Sequence, residues 1–119
     1  NILVGYDGSP ATRKIIDFIS DYDFLSGAEI TLAQANKAKA VIHDQMFEAE
    51  KQLKSSGVAV KKVELIGDPK VELARMIAEQ NFDLLAIGAY GHSKVRSFIL
   101  GSTTSRLIQT VKVPVLLIR

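Results

Sequence analysis

The sequence predicts one α/β domain: a doubly wound, Rossmann-like sheet of five parallel strands with helices on both faces. Three observations carry this prediction. Five short apolar segments alternate with four segments of helical periodicity. Two of the apolar segments, Leu84-Leu85-Ala86-Ile87 and Val115-Leu116-Leu117-Ile118, are unbroken runs of the kind that parallel strands covered on both faces show. Glycine, proline and hydroxyl residues fall where each strand hands over to a helix.

In chain order, the first strand is read over Ile2–Tyr6 and ends in Asp7-Gly8-Ser9-Pro10, a turn followed by a Ser9 cap and a proline at the first helical position. Ala11, Ile15, Phe18 and Ile19 then recur at helical spacing. Ser26-Gly27 precedes a second strand over Glu29–Ala35. Ile42, Met46, Ala49 and Leu53 mark a second helix that stops at Ser55-Ser56-Gly57, before a third strand over Val60–Ile66. Gly67-Asp68-Pro69 repeats the cap-and-proline start, with Glu72 in the first turn and a predicted inner stripe of Val71, Ala74, Ile77 and Ala78. The fourth strand is read over Asp83–Ile87. The fourth helix carries Thr104, Leu107, Ile108 and Val111, and the last strand is read over Val113–Ile118.

Alternation leaves two strand orders open, 2-1-3-4-5 and 3-2-1-4-5. In such sheets ligands bind beyond the carboxyl ends of the strands, where the winding direction reverses. The strand ends with unusual chemistry are the first, Gly5-Tyr6-Asp7-Gly8-Ser9-Pro10, and the fourth, Gly88-Ala89-Tyr90-Gly91. If both flank one crevice, strands one and four are neighbours and the order is 3-2-1-4-5.

The 119 residues suit one domain, 1–119, with 47% hydrophobic and 24% charged residues. The absence of cysteine excludes a disulfide scaffold, a thiolate metal site and a cysteine nucleophile. No apolar run reaches the roughly 20 residues of a membrane span. No basic-then-apolar leader precedes the first strand, so the cytoplasm is the expected location. The strand pattern is already running at Ile2, so a start methionine and further residues are expected to have been trimmed. A net charge of +2 is too weak to point to nucleic acid, but it is unevenly spread. Residues 1–83 hold all 13 acids and ten bases, while residues 84–119 hold five bases and no acid.

That acid-free third contains the most informative segment. Gly88 and Gly91 stand where a buried strand stops, and without a β-carbon they are free to take positive φ and to let backbone N–H groups approach a ligand. Gly101-Ser102-Thr103-Thr104 then opens a helix, whose unpaired N–H groups and dipole, about +0.5 of a charge, attract phosphate. Lys94 and Arg96 add positive potential. The conservative alternative makes these glycines turn punctuation and Ser102 a helix cap.

The spacing Gly88-x2-Gly91-x9-Gly101-Ser102 resembles the ATP-binding signature of universal stress proteins. The opening Ile-Leu-Val-x-x-Asp-Gly-Ser is similar to that family's first strand and turn, and Val-Pro-Val-Leu-Leu-Ile to its last strand. The resemblance covers essentially the whole chain. It implies order 3-2-1-4-5, a bound ATP or related adenine nucleotide (ADP or AMP), and a role in stress adaptation. It further implies that Asp7 holds the ribose or a metal such as Mg²⁺ near the phosphates, with the backbone of Gly5 and Tyr6 beside the nucleotide. Ala35 would offer backbone N–H and C=O to the adenine edge, and Ile87 would touch base or sugar. Gly88, Gly91, Gly101, Ser102 and Thr103 would cradle phosphate, with Thr104 next to it. His92 is within reach of phosphate or is an exposed loop histidine. The connection over Lys37–Ala40 is shorter than the family usually shows.

No catalytic group emerges from the sequence. Asp7 has no histidine or second acid near it, and Ser102 has no histidine partner at recognisable spacing. His43 and His92, 49 residues apart without cysteine, do not make a zinc site. Lys94 lacks the Gly-x4-Gly-Lys-Ser/Thr spacing of a P-loop. Any ATP hydrolysis is expected to be slow. Two other readings stand beside this one. The first is a signalling or assembly module without nucleotide, trimmed from a tandem or transporter-linked protein. The second is an adenylating enzyme, for which Asp7-Gly8-Ser9-Pro10 lacks the phosphate loop. The uncharged last strand predicts a homodimer joined edge to edge through residues 113–118.

Overall fold

A computed structural model describes residues 1–36, 44–89 and 102–119. The strands are β1 (Ile2–Gly5), β2 (Glu29–Asn36), β3 (Ala59–Ile66), β4 (Leu84–Gly88) and β5 (Val115–Ile118). The helices are α1 (Pro10–Asp21), α2 (Asp44–Ser55), α3 (Pro69–Glu79) and α4 (Ser102–Thr110), with a short 3₁₀ turn at Asp23–Leu25. All four strand pairings are parallel and the order is β3-β2-β1-β4-β5, the order expected from the crevice.

Strand alternation sorts the core into two layers. Ile2 and Val4 of β1 face one way, with Ile30 and Leu32 of β2, and are covered by Ile15, Ile16 and Ile19 of α1 and Met46, Ala49 and Leu53 of α2. Leu3 faces the other way, with Ala33, Leu85 and Ile87, and is covered by Leu73 and Met76 of α3 and Leu107 of α4. The helix starts follow the sequence signals. Ser9 Oγ accepts from the Thr12 amide and Asp68 Oδ1 from the Lys70 amide, each with proline in the first turn.

Three expectations are corrected. In α3 the buried residues are Leu73 and Met76, whereas Val71 is 60% exposed and Ala78 is exposed. Leu73 and Met76 take the inner face, with Ala74 and Ile77 of the expected stripe half-buried beside them. In α4, Thr104 and Leu107 are buried but Ile108 is 41% exposed. β5 is shorter than predicted and half-buried at every residue, because only β4 flanks it. Its apolar run still packs against both core layers, Leu116 and Ile118 on one and Val115 and Leu117 on the other, at the edge of the sheet. Ile42 of the predicted α2 stripe, together with His43 and the 37–40 connection, lies outside the described residues.

The two sheet edges differ in charge. β3 alternates exposed and half-buried positions, with Lys61, Lys62 and Glu64 along it, as edge strands do when they resist pairing. Lys62 reaches Glu50 of α2 at 2.8 Å, and Lys54 reaches the same carboxylate at 2.7 Å. Hydrogen bonds from Lys54 and then Lys62 hold the Glu50 carboxyl below its ordinary pKa. A lowered folded pKa gives stability that is present above the unfolded carboxyl pKa and is lost as pH falls through the folded one. Glu50→Gln is therefore expected to flatten the acid-side loss of stability and to leave the neutral-to-alkaline profile parallel to that of the unmodified chain. Urea unfolding at stepped pH measures this.

Candidate functional site

β1 and β4 are adjacent and end level with one another, Gly5 opposite Ile87. The helices that follow them, α1 and α4, lie on opposite faces of the sheet, and a crevice opens at the strand ends. Its walls are Gly5, Tyr6, Asp7 and Thr12 from β1 and α1, Ala33 and Ala35 from β2, and Ile87 and Gly88 from β4. Pro69 and Leu73 of α3 and Thr103, Thr104 and Leu107 of α4 complete it.

Eight of the residues expected from the sequence meet here: Gly5, Tyr6, Asp7, Ala35, Ile87, Gly88, Thr103 and Thr104. Gly91, His92 and Gly101 lie outside the described residues, as do Lys94 and Arg96. Ser102 begins α4. Sequence reasoning missed Thr12, Ala33, Pro69, Leu73 and Leu107. Thr12 alone carried a usable signal, a hydroxyl on the otherwise apolar inner stripe of α1. The others read as ordinary core or turn residues.

β2 outruns β1, and this gives Ala35 its place. In a parallel pair, alternate residues direct both N–H and C=O to the same neighbour. Ala33 faces β1, since its carbonyl accepts from Tyr6 N at 2.8 Å. Asn36 faces β3, since its carbonyl accepts from Gly67 N at 2.8 Å. Ala35 therefore directs its N–H and C=O toward the β1 side, two residues beyond the level of Gly5, where the paired part of β1 has ended. This presents a donor–acceptor pair to the crevice.

Asp7 sits in a turn that fixes it. Its Oδ1 accepts from Ser9 N at 2.9 Å and from Thr12 Oγ1 at 3.0 Å. Gly8 takes φ +75°, which a side chain would make costly, and so lets the chain turn straight into α1. Asp7 is thus both a turn residue and a crevice residue. The Tyr6 side chain is buried in the α1–α2 layer while its backbone borders the crevice. Burial pushes the Tyr6 hydroxyl pKa up, with nearby Arg13 opposing the shift.

Gly88 has no positive φ; it is glycine for another reason. A β-carbon there would sit 3.0 Å from Ala11 Cβ and 3.4 Å from Thr12 Cγ2, so α1 is docked against the end of β4. The Gly88 carbonyl accepts from Thr104 Oγ1 at 2.9 Å, which ties the first turn of α4 to the same point. The buried Thr104 hydroxyl is thereby engaged in structure rather than presented to a ligand.

The geometry is that of a doubly wound α/β domain with a small-molecule crevice at its switch point. The model of the universal stress protein family matches residues 1–119, and the chain belongs to that family. It is 31% identical to a universal stress protein of Synechocystis over 99% of its own length and 42% of the relative's. It spans about half the length, 52%, of a universal stress protein of Methanocaldococcus jannaschii. The solved structure of that archaeal protein superimposes with a TM-score of 0.85 at 21% identity, covering 98% of this chain and 93% of the other. A universal stress protein in complex with cAMP gives 0.79 at 27% identity, covering 99% and 94%. More distant members of the fold have been solved with dAMP, from Archaeoglobus fulgidus, and with AMP, from Arabidopsis thaliana.

Gly88→Ala is expected to destabilise the domain by about 1–3 kcal/mol, as overpacking does. The atom in the way is the Cβ of Ala11 at 3.0 Å, which cannot swing aside. Gly5→Ala would meet Leu73 Cδ1 at 2.9 Å, which can turn, and Ile87 Cγ2 at 3.1 Å, and should cost a similar amount. Denaturant midpoints of the two variants give the comparison.

Proposed function

We propose that this domain binds an adenine nucleotide, ATP foremost, in the crevice between β1 and β4, and that it serves a regulatory role in stress adaptation rather than rapid turnover. The observation that carries this reading is the paired N–H and C=O of Ala35 directed to one side of the crevice, with Asp7 and the start of α4 also on its walls. A donor and an acceptor side by side match the edge of adenine, and Asp7 suits ribose hydroxyls. The start of α4, in a stretch without acids, suits phosphate. The relative solved with cAMP, at 27% identity, supports the same ligand class.

A magnesium ion would fit only as a partner of the nucleotide. Among the described residues no group of three or more His, Cys, Asp or Glu side chains forms a metal cluster, and Asp7 alone could contribute one oxygen beside phosphate oxygens. With no activated nucleophile or acid–base pair assembled among the described crevice residues, hydrolysis should run well below the roughly 1–10³ s⁻¹ of dedicated enzymes. No described helix is long and apolar enough to cross a membrane.

Calorimetry with ATP, ADP, AMP and cAMP, with and without Mg²⁺, tests the reading. ATP is expected to bind, and Gly101→Val to weaken it about tenfold or more, some 1.4 kcal/mol, in a chain that still unfolds cooperatively. Absence of binding by all four nucleotides would overturn the proposal.

We also propose a homodimer through β5. The β3 edge is charged, whereas Val115–Ile118 carries no charge and is half-buried. On the α1 side, Leu116 borders an apolar groove with Phe18, Leu25 and Leu84. A second β5 running antiparallel about a two-fold axis would pair both edges. In sedimentation at micromolar concentration the unmodified chain should be a dimer and Leu116→Lys a monomer. A monomeric unmodified chain would sink the idea.

A further inference from the structure

Thr12 is a polar residue on the buried face of α1, 2% exposed, and it lines the crevice. Its hydroxyl lies 3.0 Å from Asp7 Oδ1, 3.0 Å from the Ser9 carbonyl and 3.3 Å from Ser9 Oγ. A threonine hydroxyl has one proton to give. The Ser9 carbonyl already receives the Arg13 amide at 3.0 Å in the first helical turn, so it does not need that proton. The Asp7 carboxylate is the stronger acceptor when ionised. Ser9 Oγ in turn is placed to donate to Thr12 Oγ1. Asp7 Oδ1 then collects two donors, the Ser9 amide and the Thr12 hydroxyl, both anchored to the first turn of α1.

The Thr12 side chain is β-branched and stiff at χ1. Its Cγ2 is turned to the end of β4, 3.4 Å from where a β-carbon on Gly88 would stand, while the hydroxyl faces Asp7. Valine would pack here as well as threonine, so packing alone does not account for the hydroxyl.

We propose that Thr12 is a positioning residue: its hydroxyl holds the Asp7 carboxylate in a single orientation toward the bound ligand, without touching that ligand. The ligand part of this inference rests on the adenine-nucleotide reading above; the orientation of Asp7 does not.

The test is a double-mutant cycle with ATP as probe, read together with the side-chain rotamer of Asp7 in ligand-free protein from NMR couplings. Thr12→Val keeps the shape and removes the hydroxyl; Thr12→Ser keeps the hydroxyl and removes the methyl. Thr12→Val should weaken ATP about tenfold, the scale of one hydrogen bond to a charged group, while Thr12→Ser stays much nearer the unmodified chain. In an Asp7→Ala background Thr12→Val should have no further effect. The Asp7 couplings should change from one rotamer to an average in Thr12→Val alone. An equal loss in both backgrounds, or unchanged ATP affinity in Thr12→Val, overturns the proposal. So does a single Asp7 rotamer in Thr12→Val. If the unmodified chain binds no adenine nucleotide, the functional reading fails, and the coupling measurement still decides whether Thr12 orients Asp7.

Discussion

The docking of α1 against the end of β4 is the contact on which the rest of this domain depends. β1 and β4 pair in parallel and stop within a residue of one another, and α1 leaves β1 so close to Gly88 that a β-carbon there would press on Ala11 Cβ at 3.0 Å. The same glycine's carbonyl takes the Thr104 hydroxyl and so anchors the start of α4. A single position at the strand end thus sets how near two helix N-termini lie, one from each face of the sheet. The reversal of winding between β1 and β4 makes this possible. α1 and α2 cover one face and α3 and α4 the other, and an opening lies at the carboxyl ends of the strands.

Backbone length does the rest. β2 continues to Asn36 while β1 stops pairing at Gly5, and the overhang carries Ala35 past the end of its neighbour with its polar backbone atoms directed at the crevice. Side chains there are small or apolar: Ala33, Ala35, Ile87, Leu73 and Leu107. Among the described crevice residues, polar side chains come from the β1 turn, Thr12 of α1 and the start of α4. Asp7 is the one acidic side chain on the described crevice wall.

Charge is distributed in step with this architecture. All acids precede residue 84, and the final third, which supplies α4 and β5, holds bases only. At the far edge, Lys62, Lys54 and Glu50 tie β3 to α2 and leave the strand unattractive to other strands. The opposite edge, β5, carries no such guard, although Lys14 of α1 donates to the Arg119 carbonyl at 3.0 Å just beyond it. The two edges of the sheet therefore differ: β3 carries charge along it and Val115–Ile118 carries none.

The sequence by itself determined the elements, their alternation and the two strand ends that meet. The cap signals at Ser9 and Asp68 and the apolar runs act over a few residues and need no tertiary partner. Strand order followed because glycines and hydroxyls were concentrated after just two strands. Periodicity did not decide which face α3 buries, since Val71, Ala74 and Ala78 match a helical stripe as well as Leu73 and Met76 do. The choice came from packing against β1 and the floor of the crevice. Nor could the sequence separate the two meanings of Gly88, conformational freedom and close approach, because only the distance to Ala11 and Thr12 distinguishes them. Thr12 stood out only as a hydroxyl on the otherwise apolar inner stripe of α1. Its role arises where a helix, a turn and a strand end converge, and those are brought together by the fold from residues 7, 12 and 88.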